Sequence, residues 1–175
     1  KNQWSKITGF VKKVLVTGGL GRLGNRMFNN INLEHQLIFT TKQKPKECNN
    51  SNCTYIKTDL THKDGIDKNL WGANQVLHMA GATHEKDKKN YFKVNSEVTK
   101  RLIKLAEENG IKRFIYLSSQ AVGKTGGSYS HSKEIAENHL ESSKLSWTIV
   151  RPSEIYGVDF KSSVNELCDF IKKSR

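Results

Sequence analysis

The sequence has few of the features that mark membrane, secreted or metal-binding proteins. No apolar run reaches the roughly 18 residues that a membrane span needs, and no apolar segment follows the basic start to form a signal peptide. The three cysteines lack the spacing of a disulfide framework, and Cys48 and Cys53 lack the further ligands of a zinc site. We therefore expect a cytoplasmic protein with free thiols, no metal and no membrane association.

Acidic residues are also scarce, since 29 lysines and arginines outnumber 17 aspartates and glutamates and leave a net charge of +12. A basic balance of this size raises the question of nucleic-acid binding. However, the lysines are spread along the chain, and no basic run is interleaved with aromatic residues. The densest group, Lys42, Lys44 and Lys46, falls in a predicted loop. We predict no nucleic-acid partner, because a basic face around an anionic cofactor or substrate explains the charge.

Short apolar and β-branched runs alternate with helical patterns along the 175 residues, which is the length of one domain. Strands are predicted over 14–17, 37–41, 54–57, 75–79, 113–117 and 147–150. Helices are predicted over 22–30, 63–70, 91–109, 129–141 and 164–171. This alternation predicts an α/β fold with a Rossmann-type doubly wound parallel sheet. Ligands of such sheets bind at the carboxyl ends of the strands.

The first predicted strand runs into a glycine-rich turn that opens a helix, Thr17-Gly18-Gly19-Leu20-Gly21-Arg22-Leu23-Gly24. Gly18 is suited to a tight turn, Gly21 to a close approach of the backbone to phosphates, and Gly24 to close packing of helix on strand. The N–H groups and the dipole of the helix that follows would face an anion. The turn therefore predicts a site for the pyrophosphate of a dinucleotide.

A second pattern, Tyr129-Ser130-His131-Ser132-Lys133, places a phenol and an amine four residues apart on one helix face. A free phenol has a pKa of about 10, too high for a good base at neutral pH, but a nearby ammonium stabilises the phenolate. Tyr129 would then exchange a proton with a substrate oxygen while hydride moves to or from the cofactor. Ser119, at the end of the fifth strand, would hydrogen-bond the same oxygen.

Seven segments along the chain resemble, in the same order, the motifs of the extended branch of the short-chain dehydrogenase/reductase superfamily, the NAD(P)-dependent epimerase/dehydratase family. The glycine turn is similar to the family's TGxxGxxG, and Tyr129 with Lys133 to its YxxxK. Further similarities are Asp59-Leu60 after strand 3, 76–82 to VxHxAA, Asn95 to NxxGT, 114–119 to the strand with the catalytic Ser/Thr, and 151–157 to RPxxxYG. The resemblance covers nearly all of residues 13–157.

The resemblance implies an oxidoreductase that acts on a nucleotide sugar, as an epimerase, dehydratase or reductase. Its implied catalytic residues are Ser119, Tyr129 and Lys133, with Lys133 also holding the nicotinamide ribose. The implied cofactor-binding residues are Gly18, Gly21, Arg22, Leu23, Gly24, Lys42, Asp59, Leu60, Met79, Ala80, Gly81, Asn95, Ser118, Tyr129, Lys133 and Pro152. Members of the family often dimerise through the helices that bear Asn95 and Tyr129, so a homodimer is also an expectation.

The chain departs from the family pattern at two points. We expect residues 1–157 to form the NAD(P)-binding domain and 158–175 to begin a truncated substrate region, since members of the family continue for over a hundred residues. Ser119 and Tyr129 are also only ten residues apart, and Gly123 replaces the usual tyrosine. Two alternatives therefore stay open: an NADPH-dependent carbonyl reductase of a non-sugar substrate, and a non-catalytic module that senses NADP(H) or scaffolds a partner.

The end of the second strand bears on the choice between NAD and NADP. NAD-binding proteins place an acidic residue there, which bonds the ribose hydroxyls. Thr40, Thr41 and Lys42 provide no acid, whereas Lys42, Lys44 and Arg22 could neutralise a 2′-phosphate. The sequence favours NADP, and NAD stays open because Asp59 and backbone contacts also suffice to hold it.

Overall fold

A computed structural model describes residues 11–29, 35–43, 52–123, 126–156 and 163–173 of the chain. They form a six-stranded parallel sheet in the order β3-β2-β1-β4-β5-β6. The strands are β1 Lys13–Thr17, β2 Gln36–Thr41, β3 Cys53–Lys57, β4 Gln75–His78, β5 Arg113–Leu117 and β6 Ser146–Val150. The helices are α1 Arg22–Asn29, α2 Lys88–Tyr91, α3 Val98–Glu108, α4 Gly127–Glu141 and α5 Ser163–Lys173. The Rossmann-type doubly wound sheet that the sequence predicts is confirmed.

The strand order reverses at β1, which pairs with β2 on one side and with β4 on the other. At the carboxyl end of β1, Thr17 lies opposite Thr40 of β2 and His78 of β4. This reversal opens the crevice in which sheets of this kind bind their ligands. The sheet therefore brings the ends of β1, β2 and β4 together at the predicted cofactor site.

Apolar residues cover both faces of the sheet. On one face, Val16, Leu37 and Phe39 pack with Phe28 of α1. On the other face, a larger cluster joins strand residues such as Leu15 and Phe114 to helix residues of α3 and α4. The strands are apolar on both sides because parallel strands are covered by helices on both faces.

Helix α3 takes part in this core through the apolar positions that the resemblance associates with a dimer. Val98 is 2% exposed and Leu102 is fully buried, and both pack within the larger cluster. Core packing therefore accounts for these two side chains, and the homodimer stays a prediction. In α5, by contrast, Leu167, Phe170 and Ile171 are exposed.

One predicted element is wrong. The helix predicted over 63–70 is instead two short 3₁₀ turns, Lys63–Gly65 and Leu70–Gly72. Local side-chain bonds compete with helix formation here, since the Thr58 hydroxyl donates to the Gly65 carbonyl at 2.6 Å. The predicted helix over 91–109 exists, but its start is α2 followed by a π-helical turn, Phe92–Glu97.

Candidate active site

The glycine turn that follows β1 passes very close to the end of β4. Gly18 has a φ of +73°, and a Cβ placed on it would lie 2.5 Å from the Ala80 nitrogen. The Gly21 N–H donates to the Gly18 carbonyl at 3.0 Å, which closes the turn at the start of α1. A residue with a side chain at Gly18 would both take up a strained φ and overlap the backbone of Met79 and Ala80, just after β4. Glycine at this position follows from the tight turn.

The turn forms one wall of a cavity of about 270 Å³ at the carboxyl ends of the first three strands. The cavity is lined by Gly18, Leu20, Gly21, Thr40, Thr41, Lys42, Gln43, Thr58, Leu60, Thr61, Ala80, Val94 and Val98. Glycine backbone lines one side, apolar side chains lie beneath, and hydroxyls and an ammonium line the rim. Such a lining is suited to an adenosine with its phosphates.

Two polar groups at this cavity bear on which ribose substituent fits. Thr40 is 4% exposed, and its hydroxyl has no hydrogen-bond partner among the described residues. Lys42 has an exposed side chain, and its ammonium lies 3.0 Å from a carboxylate oxygen of Asp59. A buried hydroxyl without a partner is costly, so Thr40 is suited to bind a ligand oxygen.

Asp59 follows β3 and stays ionised well into the acidic range. Burial raises the pKa of its carboxyl, but hydrogen bonds from the Thr61 N–H and hydroxyl and from Lys42 outweigh burial and lower the pKa to about 2. The carboxylate is therefore charged at neutral pH, and it holds both the turn that begins at Thr61 and the Lys42 ammonium.

A buried chain of hydrogen bonds runs below the glycine turn from β1 to α3. The Ala80 N–H donates to the Thr17 hydroxyl, and the Thr17 oxygen lies 2.5 Å from Nδ1 of His78. His78 Nε2 lies 2.8 Å from the Thr99 hydroxyl, which donates to the Asn95 carbonyl. Because the Thr99 proton is used on Asn95, Nε2 carries the His78 proton and Nδ1 accepts from Thr17.

His78 is therefore a neutral connector rather than a base. It is fully buried, and burial together with the charge of Lys133 lowers its pKa to about 3. A second proton on Nδ1 would remove the acceptor that Thr17 needs. The chain of bonds fixes the end of β1 against β4 and α3, and so holds the glycine turn in place.

Asn95 lies in the π-helical turn and is fully buried. Its amide oxygen accepts from the Ala82 N–H, and its amide nitrogen donates to the Ala82 carbonyl and to the Ser132 hydroxyl. The side chain thus joins the segment after β4 to α4. The structure places Asn95 as a support of both walls, with its amide bonded entirely within the protein.

The predicted catalytic pair lies in the first turns of α4. Tyr129 is half-buried, and its ring lies edge-on to that of Tyr91 at 5.9 Å. Lys133 is 3% exposed, and its ammonium donates to the Leu117 carbonyl at 2.9 Å and lies 4.7 Å from the centre of the Tyr116 ring. The Lys133 side chain is therefore held between α4 and the end of β5.

The surroundings of Lys133 shift its titration towards neutral pH. Burial lowers the pKa of its ammonium to about 8, and the nearby Glu137 carboxylate opposes the shift. Burial also raises the pKa of the Tyr116 phenol above its ordinary range, so that ring faces Lys133 uncharged. A Cβ placed on Gly81 would lie 3.1 Å from the Lys133 ammonium. The absence of a side chain at Gly81 therefore leaves room for Lys133 beside the segment after β4.

The serines after β5 lie in a turn that is bonded to the segment after β6. The Ser119 hydroxyl accepts from the Ala121 N–H at 3.2 Å, while the buried Ser118 donates its N–H to the Val150 carbonyl. The Gln120 N–H donates to the Pro152 carbonyl at 3.0 Å. Ser118, Ser119 and Pro152 therefore lie at the same carboxyl edge as the glycine turn.

The structure brings the predicted residues to one edge of the sheet, on both sides of the reversal at β1. Arg22 and Lys42 lie at the exposed rim, whereas Asn95 and Lys133 are buried. Lys44 lies outside the described residues. Sequence reasoning missed Glu137, Thr99 and Ser132, whose contacts join different elements. For Glu137 the signal was present, since it lies four residues after Lys133, on the same helix face.

Within the described ranges, no helix is long and apolar enough to cross a membrane, and no cluster of histidine, cysteine and acidic residues is suited to a metal ion.

Comparison with known proteins identifies relatives of this fold and site. A family model described as NAD(P)H-binding matches residues 17–164. The chain is 25% identical to UDP-glucose 4-epimerase of Vibrio cholerae over 93% of this chain and 57% of that protein. It is 29% identical to human dTDP-D-glucose 4,6-dehydratase over 88% of this chain and 54% of that protein. The chain thus spans about half the length of these curated relatives.

Solved structures share the fold. The Bordetella bronchiseptica enzyme WbmG in complex with NAD superposes with a TM-score of 0.76 at 17% sequence identity. The match covers 97% of this chain and 62% of that chain.

Proposed function

The chain belongs to the NAD(P)H-binding family, in the epimerase/dehydratase branch of the extended short-chain dehydrogenases/reductases, and from this premise we propose that it is an NAD(P)-dependent oxidoreductase of nucleotide sugars. One observation carries the proposal. The ammonium of Lys133 is held at the end of β5, beside Gly81, and Tyr129 precedes it by one turn of α4. The ammonium thus lies next to the segment after β4, and Tyr129 lies one turn before it on the same helix face.

In the proposed reaction, the Tyr129 phenolate takes the proton of a sugar hydroxyl whose carbon is oxidised to a ketone. The cofactor, when bound, supplies the hydride acceptor. Lys133 stabilises the phenolate through its charge, and the Ser119 hydroxyl donates to the reacting oxygen. In an epimerase, the Tyr129 phenol would then return the proton to the same oxygen, whereas a dehydratase would need a base to take the acidified proton beside the ketone while the hydroxyl on the next carbon leaves as water.

The sugar nucleotide would bind in the region that follows the NAD(P)-binding domain. Residues 1–157 are proposed as the NAD(P)-binding domain, and 158–175 as the start of the region that binds the sugar nucleotide. The names of the curated relatives, UDP-glucose 4-epimerase and dTDP-D-glucose 4,6-dehydratase, suggest UDP- and dTDP-glucose as first substrates to test.

The test is turnover of UDP-glucose and dTDP-glucose by the whole protein, followed by NMR of the products, for the natural protein and for Tyr129→Phe. The substitution removes the proton-transfer group, so turnover should fall by about 10²–10⁴-fold while cofactor affinity stays the same. Tyr91→Phe is the matched control, because this neighbouring phenol accepts from the Glu85 N–H and donates to the Thr83 carbonyl, both in the loop after β4. Its turnover should stay within about threefold of the natural protein.

The outcomes separate this proposal from its alternatives. Full activity of Tyr129→Phe would overturn the acid/base role. Turnover of simple carbonyl compounds with NADPH, but of no sugar nucleotide, would favour a carbonyl reductase. Cofactor binding without turnover of any substrate would favour a sensing or scaffolding module.

We also propose that NADP is the preferred cofactor. The end of β2 presents Thr40, Thr41 and Lys42 to the cavity and no carboxylate. The unpartnered Thr40 hydroxyl and the exposed Lys42 ammonium match a 2′-phosphate, which offers acceptor oxygens and negative charge. An acidic residue at this position would instead repel that phosphate.

Titration with NADP⁺ and NAD⁺ by calorimetry tests this preference. We expect NADP⁺ to bind about tenfold more tightly, and Lys42→Gln to remove most of the difference while NAD⁺ affinity is unchanged. Lys104→Gln is the control, because Lys104 is an exposed lysine on α3 that pairs with Glu108 away from the cavity. Tighter binding of NAD⁺ by the natural protein would overturn the preference.

A further inference from the structure

A buried carboxylate lies one turn beyond Lys133 in α4. Glu137 is 2% exposed, and both of its oxygens accept from Arg151: one from Nε at 2.9 Å and the other from Nη2 at 2.5 Å. This two-pronged contact joins α4 to the segment that leaves β6. Neither residue belongs to the predicted catalytic or cofactor-binding set.

The same segment is also bonded to the turn that carries Ser119. The Pro152 carbonyl accepts from the Gln120 N–H at 3.0 Å, and the Val150 carbonyl accepts from the Ser118 N–H at 2.8 Å. Arg151 lies between these two acceptors in the chain. The Glu137–Arg151 pair therefore completes a connection between the helix that carries Tyr129 and Lys133 and the turn that carries Ser119.

We propose that Glu137 and Arg151 are positioning residues of the active site: the pair holds α4 against the Ser119 turn, and Glu137 keeps Lys133 protonated. The proposal rests on the proposed function, because it assigns Lys133 its role there. Glu137 and Lys133 share one helix face at the i, i+4 spacing at which opposite charges attract. Because Glu137 is buried, its field at Lys133 is only weakly screened by solvent.

The charges around Lys133 support this role. Its own helix contributes Tyr129 and Glu137, β4 contributes the neutral His78, β5 contributes the Tyr116 ring, and the segment after β6 contributes Arg151 beyond Glu137. Of these groups, Glu137 is the one carboxylate, and its charge raises the pKa of Lys133. With a pKa of about 8, Lys133 is about tenfold more protonated than neutral at pH 7. Without Glu137, only burial would shift the pKa of the Lys133 ammonium, and the protonated form would no longer outnumber the neutral form tenfold at pH 7.

Arg151 balances the effect of Glu137. Its hydrogen bonds to Glu137 satisfy a carboxylate that is otherwise out of reach of water, and they raise the pKa of the guanidinium. Its positive charge also reduces the field that Glu137 exerts on Lys133. Removal of Glu137 and removal of Arg151 should therefore move the pKa of Lys133 in opposite directions.

The experiment is an NMR titration of the protein labelled with ¹³C at the lysine ε-carbons, with the Lys133 signal assigned by Lys133→Met. We expect Glu137→Gln to lower the pKa of Lys133 by about one unit, and Arg151→Gln to raise it. Glu141→Gln is the matched control: it lies one turn further along α4, is exposed, and should leave the pKa of Lys133 unchanged.

Two outcomes would overturn the proposal: an unchanged pKa of Lys133 in Glu137→Gln, or shifts of the same sign in both single variants, as a general loosening of α4 would give. If Glu137→Gln does not fold, the double variant Glu137→Gln/Arg151→Gln also removes the guanidinium that lost its partner, and it should still lower the pKa of Lys133. The titration uses no substrate, so its failure is distinct from activity of Tyr129→Phe, which would overturn the proposed function.

Discussion

Two ion pairs lie at the carboxyl edge of the sheet, one on each side of the reversal at β1. One side, formed by the ends of β1, β2 and β3, is the proposed adenosine side, and there the side chains of Lys42 and Asp59 are 62% and 32% exposed. On the catalytic side, the Glu137 side chain is only 3% exposed, although its partner Arg151 reaches solvent. An exposed pair is screened and contributes little to stability, whereas a buried carboxylate depends on its partner.

This difference indicates how each half of the site is built. On the adenosine side the glycine backbone forms the wall of the cavity, and the charged groups lie at its exposed rim. There the Lys42 ammonium can leave Asp59 for the phosphate of a ligand. On the catalytic side the Glu137 carboxylate and the Lys133 ammonium are enclosed by protein, and we propose that the carboxylate fixes the protonation state of Lys133. Removing a charged group should therefore cost little stability on the adenosine side and much on the catalytic side. Replacing a glycine should cost much stability on the adenosine side.

The largest effect is expected at Gly18. An alanine there takes up a left-handed φ and places its Cβ 2.5 Å from the Ala80 nitrogen. We expect Gly18→Ala to lower the free energy of unfolding by about 3 kcal/mol, measured by urea denaturation. Gly21→Ala is the control, since its Cβ would meet only the Gly18 carbonyl at 3.1 Å. It should cost less than about 1 kcal/mol in stability yet weaken dinucleotide binding. Equal stability of both variants would refute the clearance argument.

On the catalytic side, the next largest effect is expected from Arg151→Gln. The substitution leaves the buried Glu137 carboxylate without its two donors, and we expect a loss of about 2 kcal/mol in urea denaturation. The double variant Glu137→Gln/Arg151→Gln should recover more than half of this loss. If it is as unstable as the single variant, then packing of the arginine stem accounts for the effect, and the buried charge does not.

An effect that grows as the pH falls is expected through His78. Its pKa is 6.5 in the unfolded chain and about 3 in the folded protein, so below pH 6.5 the unfolded state binds the additional proton. Stability should therefore fall as pH drops from 6.5 towards 3, by about 1.4 kcal/mol per pH unit from this group. Asp59 acts in a lower window, between 3.8 and about 2, and more weakly because its carboxylate is partly exposed.

His78→Gln tests this pH dependence, because glutamine keeps a donor and an acceptor but does not titrate. Urea denaturation at pH 7 and pH 4.5 should show a smaller difference in stability for His78→Gln than for the natural protein. The exposed His84 provides the control His84→Gln, which should keep the natural difference. If His78→Gln shows the same difference in stability between pH 7 and pH 4.5 as the natural protein, then other groups cause the loss of stability in acid.

The sequence predicted the parts of the fold that depend on local pattern. The apolar run over 113–117 matches β5 at both ends, because a buried parallel strand is apolar on both faces. The 63–70 pattern misled, because the hydroxyl of Thr58 and the carboxylate of Asp59 bond nearby backbone and stop a helix from forming.

The candidate site divides in the same way. The glycines and the Tyr129–Lys133 pair were predictable, because their spacing alone brings them together. The Glu137–Arg151 pair was not, because its members are 14 residues apart on different elements, and only the packing of α4 against the segment after β6 brings them into contact. Likewise, only the structure gives His78 its partners Thr17 and Thr99, which lie on different elements.

The smallest effect is expected at Lys42. The pair with Asp59 is solvent-exposed, so Lys42→Gln should change the free energy of unfolding by less than about 1 kcal/mol. That change should shrink further in 1 M salt, where the Debye length is only about 3 Å. Lys104→Gln, which breaks an exposed helical pair with Glu108, gives the reference for a surface contact. A loss above about 2 kcal/mol would mean that Lys42 is a structural residue. Its ammonium would then not be free to leave Asp59 for a ligand phosphate, and the contrast between the two halves of the site would fail at this point.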